Sequence, residues 1–304
     1  MPHRKGDRRM DIEDFREMVC TSLQERLGGG IICTPKDVTK NNGVVWHGIL
    51  IAEEGHNVTP CIYLDDCLSD FENGASKDDI LEGVKQTYEN HRQQTCFDGI
   101  CVSDYGKTRE NIRIRLINTG KNADILKDQP HRDFLDLSIA YFVEFPFGTG
   151  AGSIQIWNEH MQMWGISEDI LFRQAMDNMD AESGEQILNM KDVLCEMAGL
   201  DNTVPDDDFP LFILTNKRKV YGASQIVRQD VLDRIGLMLG MDYIIIPSSI
   251  HEVLLLPDTG EPELAGNVAQ MVDCVNNTEV AENEVLSYHV YRYSRSEGKI
   301  SIAA

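Results

Sequence analysis

Two apolar runs, Tyr243–Pro247 and Val253–Pro257, limit most sharply what this 304-residue chain can fold into. Each is strand-sized, far short of the ~18–20 apolar residues that cross a bilayer as a helix. Pro247-Ser248-Ser249 lies between them, so strands over Tyr243–Ile246 and Glu252–Leu256 are expected to pair. Similar short segments surround them. Leu211–Leu214 and Val220–Ala223 flank the polar turn Asn216-Lys217-Arg218-Lys219 as a hairpin, and Tyr288–Ser294 and Lys299–Ile302 turn at Glu297-Gly298. Spacing predicts a helix over Gln229–Leu239, stopped by Gly240. It predicts another opening at Pro262, with Leu264, Val268, Met271 and Val275 on one face.

The N-terminal part reads as helix plus meander. Asp11 caps a helix whose apolar positions Ile12, Phe15, Val19, Leu23 and Leu27 step by three and four, and Gly28-Gly29-Gly30 ends it. Strands follow near Ile31–Thr39, Gly43–Glu53 and Val58–Leu64, joined by Asn41-Asn42-Gly43 and Glu53-Glu54-Gly55. Asp65–Glu72 reads as a short helix. Ser76 and Asp79 form a capping box for a helix burying Ile80, Val84 and Tyr88. A helix over Tyr105–Asn118 is expected, with Ile112 and Leu116 inward and Arg113 and Arg115 outward. Phe134–Phe145 alternates as one long strand, followed by the loop Gly148–Gly152 and a partner strand near Ser153–Trp157. Ser167 caps a helix to Met179. Over Ala181–Gly199 both Ser183/Gln186 and Asn189/Asp192 can start a helix; the later start is favoured, burying Val193, Leu194 and Met197, and acidic Asn202–Asp208 reads as a linker.

No regular strand–helix alternation runs through these elements, so a doubly wound parallel sheet is not expected. The expected class is α+β, with mainly antiparallel sheets, packed helices and a two-part architecture. The parts are a disordered basic leader (1–9), a small α+β unit (10–120) and a larger α+β unit (121–304).

Charge narrows the partners. There are 28 Lys and Arg against 50 Asp and Glu, a formal net charge of −22. Nucleic acid and anionic membranes are bound by clustered cations, so neither is expected as a partner. The basic leader lacks the apolar core of a secretory signal. The eight cysteines (Cys20, Cys33, Cys61, Cys67, Cys96, Cys101, Cys195 and Cys274) contain no C-x-x-C pair, which points to a reduced, cytoplasmic protein with mostly structural thiols.

Phosphate-cradle, nucleophile-elbow, zincin, kinase and EF-hand motifs are all missing. His251-Glu252 begins like a zincin pair, but Leu255 stands where the second histidine belongs. No cofactor and no metal ligand set is expected. The cluster Ser248, Ser249, His251 and Glu252 carries hydroxyls, an imidazole and a carboxylate, the groups of a nucleophile–base site. It reads equally as a tight turn whose hydroxyls satisfy backbone groups. His131 and Asp136 flank the long strand, and Asp136 needs a partner if buried. Asn216, Lys217 and Arg218 form a compact basic turn in an acidic protein, either a contact for a phosphate or an acidic partner or, as favoured, an exposed hairpin tip.

Six segments together resemble a family of uncharacterised bacterial proteins, classed as a domain of unknown function, from anaerobic gut-type Firmicutes. They are KNNGVVWHGILI (40–51), NADILKDQPHRDFLDLSIAYF (122–142), MWGISEDILFRQAMDNM (163–179), LTNKRKVYGASQI (214–226), IIIPSSIHEVLLLPD (244–258) and EVLSYHVYRYSR (284–295). The resemblance spans Met10–Ile302 and implies a start near Met10. It implies no activity, cofactor or catalytic residue. The function expected is therefore that of a non-enzymatic cytosolic binding or accessory protein with a protein or small-molecule partner. One alternative is a hydrolase-like enzyme built on residues 248–252, and a second is a metal-binding module.

Overall fold

The computed structural model describes residues 10–53, 61–94, 102–147, 150–182, 184–199 and 211–304. The leader, the Glu54-Gly55 turn, Gly148-Thr149 and the 202–208 linker lie outside the described residues. The chain folds as two compact units: Met1–Ile100 with Pro146–Gly152, and Cys101–Phe145 with Ser153–Ala304. Both are α+β, and every strand pairing of described register is antiparallel.

In the first unit, helix α1 (Ile12–Leu27) starts where Asp11 Oδ1 accepts the Asp14 N–H at 2.8 Å. It stops at Gly28, whose φ of 86° suits a residue without Cβ. A three-stranded meander follows: β1 (Ile31–Thr39), β2 (Val45–Glu53) and β3 (Cys61–Tyr63). Helices α2 (Asp65–Glu72) and α3 (Lys77–Gln94) complete it, the latter capped by Ser76. Ser76 Oγ accepts the Asp79 N–H at 3.1 Å and donates to Asp79 Oδ2 at 2.7 Å, in place of the reciprocal box expected. Phe15, Val19 and Leu23 of α1 meet Ile49 and Ile51 of β2 and Ile80, Leu81 and Val84 of α3 in one buried core.

The second unit begins with a departure from expectation. Residues 105–118 are a short helix α4 (Tyr105–Thr108), a 3-10 turn (Arg109–Asn111) and strand β4 (Ile112–Asn118), not one helix. Ile112 and Leu116 are four apart, a spacing that satisfies both a helical face and a strand face. Ile114, buried with them, decides for the period of two. After the one-turn helix α5 (Ala123–Leu126), the long alternating stretch is a hairpin: β5 (His131–Phe134) and β6 (Leu137–Phe147) turn at Leu135-Asp136, with Leu135 at φ 60°. Strand β7 (Gly150–Gln155) pairs with β6, and a four-stranded sheet results, ordered β4-β6-β5 with β7 also on β6.

Helices α6 (Asn158–Trp164) and α7 (Glu168–Ala181) lead to β8 (Glu185–Asn189), α8 (Met190–Ala198) and β9 (Phe212–Asn216). Asn189 caps α8 as expected, but Cys195 is its buried residue, while Leu194 and Met197 are exposed. Residues 220–223 do not return as a strand. The chain turns instead into a 3-10 segment, Gly222–Val227, before α9 (Gln229–Leu239). Strands β10 (Tyr243–Ile246) and β11 (Val253–Pro257), helix α10 (Leu264–Thr278), and the hairpin β12 (Tyr291–Ser294) and β13 (Lys299–Ile302) finish a six-stranded sheet, ordered β13-β12-β10-β11-β9-β8.

The continuous apolar run of β10 now has a cause. Tyr243 and Ile245 face the main core, together with Leu116, Tyr141 and Val143 of the four-stranded sheet and Val231 and Ile235 of α9. Ile244 faces the opposite side, packed with Val268 and Val272 of α10. A strand buried on both faces carries no polar alternation. In α10 the buried face is Val268, Val272 and Asn276, so Met271 and Val275, expected inside, are exposed. Among the described residues, no helix is long and apolar enough to cross a membrane.

Candidate functional site

The second unit contains a cavity of about 260 Å³. Its walls come from β4 (Arg113, Ile114), β6 (Phe142, Glu144), α7 (Ala175, Met179), Glu182 and Gly184, the turn after β9 (Asn216, Lys217, Arg218, Val220, Tyr221), and the 3-10 segment (Ser224, Gln225). Antiparallel pairing puts Arg113 opposite Phe142, so Glu144, two residues on, is its diagonal neighbour on the same face of the sheet. Three cations and two carboxylates line the space. Arg113 Nη2 lies 2.6 Å from Glu182 Oε1, and its Nε 3.8 Å from Glu144 Oε2. Arg218 bonds the same Glu144 oxygen, which pushes its guanidinium pKa up. Gln225 is 3% exposed, and its Oε1 has no hydrogen-bond partner.

The turn that forms one wall is tightly built. Asn216 Oδ1 accepts from the N–H groups of Arg218 and Val220, its Nδ2 donates to Val220 O, and Lys217 N–H donates to Gly184 O. Lys219 and Tyr221 both take the left-handed region, at φ 53° and 54°, a costly choice for residues with Cβ that concentrates at sites where geometry is imposed. Tyr221 is fixed on its ring: His251 stacks at 5.7 Å, Phe142 packs edge-on at 5.2 Å, and the Arg115 guanidinium lies 5.6 Å from the centroid.

Of the residues singled out by sequence, Asn216, Lys217 and Arg218 line this cavity. His251 is brought to its wall through Tyr221, while Ser248, Ser249 and Glu252 do not line it. The nucleophile–base couple envisaged for residues 248–252 does not form in this geometry. Ser249 Oγ accepts the His251 backbone N–H at 3.0 Å, and the Ser249 N–H donates to Glu252 O. His251 Nδ1 accepts the Tyr221 N–H at 3.2 Å, which leaves Nε2 to carry the ring proton, 3.7 Å from Glu284 Oε1.

Asp136 and His131 lie elsewhere in the unit. Asp136 Oδ2 accepts from Ser287 Oγ at 2.6 Å and stands 3.1 Å from His289 Nδ1, while Oδ1 accepts from Tyr291 Oη at 2.7 Å. Burial works to raise its pKa, but these hydrogen bonds outweigh it and hold the carboxyl below its usual range. His131 Nδ1 contacts Gln129 O at 2.9 Å. Among the described residues, no three His, Cys, Asp or Glu side chains are grouped to hold a metal ion.

Sequence reasoning missed Arg113, Glu144, Glu182, Tyr221 and Gln225. Arg113 and Glu144 left one trace, as polar positions between buried neighbours, a pattern shared by any half-exposed strand. No curated protein and no solved structure matches the chain. The model of a family of unknown function matches residues 12–295, nearly the full span of the elements described, and so the chain belongs to the DUF5688 family.

Proposed function

We propose that the chain is a non-enzymatic binding or accessory protein of the cytoplasm, and that the cavity beside the 216–222 turn takes a small organic anion. One observation carries this reading: in a chain of net charge −22, Arg113, Lys217 and Arg218 outnumber Glu144 and Glu182 around the cavity. A cleft with low-dielectric walls focuses the field of its lining charges, so a local cationic excess selects anions from an otherwise repelling surface. The volume suits a ligand smaller than the drug-sized molecules that fill pockets of roughly 300–1,000 Å³. Gln225 adds a preference. A buried amide oxygen without a donor costs about 1–3 kcal/mol. A turn about its soft terminal torsion presents that oxygen to a ligand N–H or O–H.

The remaining features agree with a binding role. The Ser249 hydroxyl and the His251 imidazole are engaged with backbone, and the overall charge disfavours nucleic acid and anionic membranes as partners. The free thiols Cys20, Cys33, Cys61, Cys67, Cys195 and Cys274 suit a reducing compartment. The resemblance quoted above makes that compartment, in our reading, the cytoplasm of an anaerobic gut-type Firmicute.

A thermal-shift panel tests the proposal. Lactate, succinate and glycerol 3-phosphate are compared with the uncharged lactamide, succinamide and glycerol, on the wild type and on Val220→Trp, which fills the cavity mouth. A saturating anion should raise the wild-type midpoint by several degrees and leave the plugged variant unmoved. The reading fails if no anion shifts the wild type, or if the plugged variant responds equally.

A further inference from the structure

Two cysteines of the first unit stand apart from the other thiols. Cys20 lies on the inner face of α1 and Cys33 on β1, joined by the glycine turn in which Gly28 and Gly30 take φ of 86° and 100°. Both side chains are buried in the same core, and their Sγ atoms are 2.8 Å apart, with the Cys33 thiol donating to Cys20. A disulfide needs about 2.05 Å between sulfurs, so a small side-chain shift closes the gap. The two thiols are also chemically unequal. The bond from Cys33 holds the Cys20 thiol below its usual pKa range against the opposing effect of burial, with help from the buried Arg16 one turn earlier. The same bond and burial push Cys33 well above that range. One sulfur is thus favoured as nucleophile, and the other waits in contact with it.

We propose that Cys20 and Cys33 are an oxidisable pair that closes to an intramolecular disulfide when the chain meets hydrogen peroxide, tying α1 to β1. The Cys20 thiolate attacks one peroxide oxygen. An S–O bond forms, the O–O bond breaks, and hydroxide leaves, so Cys20 becomes a sulfenic acid. Cys33 then gives up its proton and attacks Cys20 Sγ. The S–S bond forms, the S–O bond breaks, and the oxygen leaves as water. The balance is two thiols and one peroxide giving one disulfide and two waters. A peroxide is small enough for a site whose sulfurs are nearly closed to solvent, and the exposed Cys274 provides an internal comparison.

The experiment treats the full chain, natively folded, with hydrogen peroxide, then unfolds it in maleimide and maps the peptides by mass. The expected result is a Cys20–Cys33 cross-linked peptide pair, lighter by two hydrogens and opened by dithiothreitol. In Cys33→Ser the Cys20 sulfenic acid should persist and be trapped by dimedone; in Cys20→Ser, Cys33 should stay alkylatable. If Cys20 and Cys33 are both still alkylated when Cys274 has been oxidised, the pair is not oxidisable and the proposal is wrong. Oxidation of Cys33 at the wild-type rate in Cys20→Ser would overturn the order of attack. Should either serine variant fail to fold, the wild-type map decides alone.

Discussion

Adding one methyl group at Gly222 should destabilise the second unit, and the size of the effect follows from what that methyl meets. A Cβ built there would lie 2.2 Å from Thr215 Oγ1, 2.6 Å from Asn216 N and 2.6 Å from His251 O. Two of these are backbone atoms, and the third is held in place because Thr215 Oγ1 donates to His251 O at 2.8 Å. None can retreat without moving β9 or the turn before β11. Overpacking costs roughly 1–3 kcal/mol and loss of the Thr215 bond about 0.5–1.5 kcal/mol more, so Gly222→Ala should cost about 1.5–4.5 kcal/mol. Gly266, in α10 of the same unit, has nothing within 4 Å of its built Cβ. There the same substitution should stabilise by about 0.5–1 kcal/mol, through helix propensity alone. Urea unfolding in a Trp46→Phe background reads the second unit specifically, since the remaining Trp157 and Trp164 both belong to it. If Gly222→Ala matched the parent within about 0.5 kcal/mol, the ordinary scatter of surface changes, the packing assigned around the turn would be refuted.

Asp136 and the face of α10 give two further tests. Asp136→Asn should lower stability at neutral pH, since the carboxylate accepts from Ser287 and Tyr291 and faces His289. Because the folded carboxyl is held below its unfolded value, its contribution is present above about pH 4 and lost as pH falls through the depressed value. The gap between wild type and variant in urea midpoints should therefore narrow on acidification, and a gap that widened would contradict the assignment. Val272→Ala should cost about 1–2 kcal/mol and Met271→Ala almost nothing, and a reversed order in the same unfolding assay would put the wrong face of α10 inside.

Local pattern was enough wherever one residue set its neighbour's geometry. The Asp11 cap, the Gly28 and Gly240 stops, the Ser76 cap and the β10–β11 pair are all of this kind, and so is the α+β class they add up to. Reading failed where two periods coincide, as with Ile112 and Leu116, or where an apolar residue takes the left-handed position of a turn, as Leu135 does before Asp136. Helix faces one position out of register, in α8 and α10, show that an apolar residue's identity does not say which neighbour covers it. The cavity is less legible still. Its lining is drawn from four separate stretches of chain, and only the basic turn 216–218 stood out, because cations are scarce in this sequence. Asp136 was marked as needing a partner, but its partners lie about 150 residues on, beyond any local signal.

The cation excess at the cavity is open to one direct measurement: titration calorimetry of succinate and of glycerol 3-phosphate into the wild type and into Lys217→Glu, at low and at physiological salt. Lys217 is exposed at the rim, so its reversal turns the lining from net positive to net negative while leaving the Arg113–Glu144–Arg218 contacts in place. Saturable binding to the wild type is expected, weakened several-fold or more in the variant, with the difference shrinking as salt rises. Equal affinities in the two proteins, or no heat with either anion, would contradict the assignment of this cavity as an anion site.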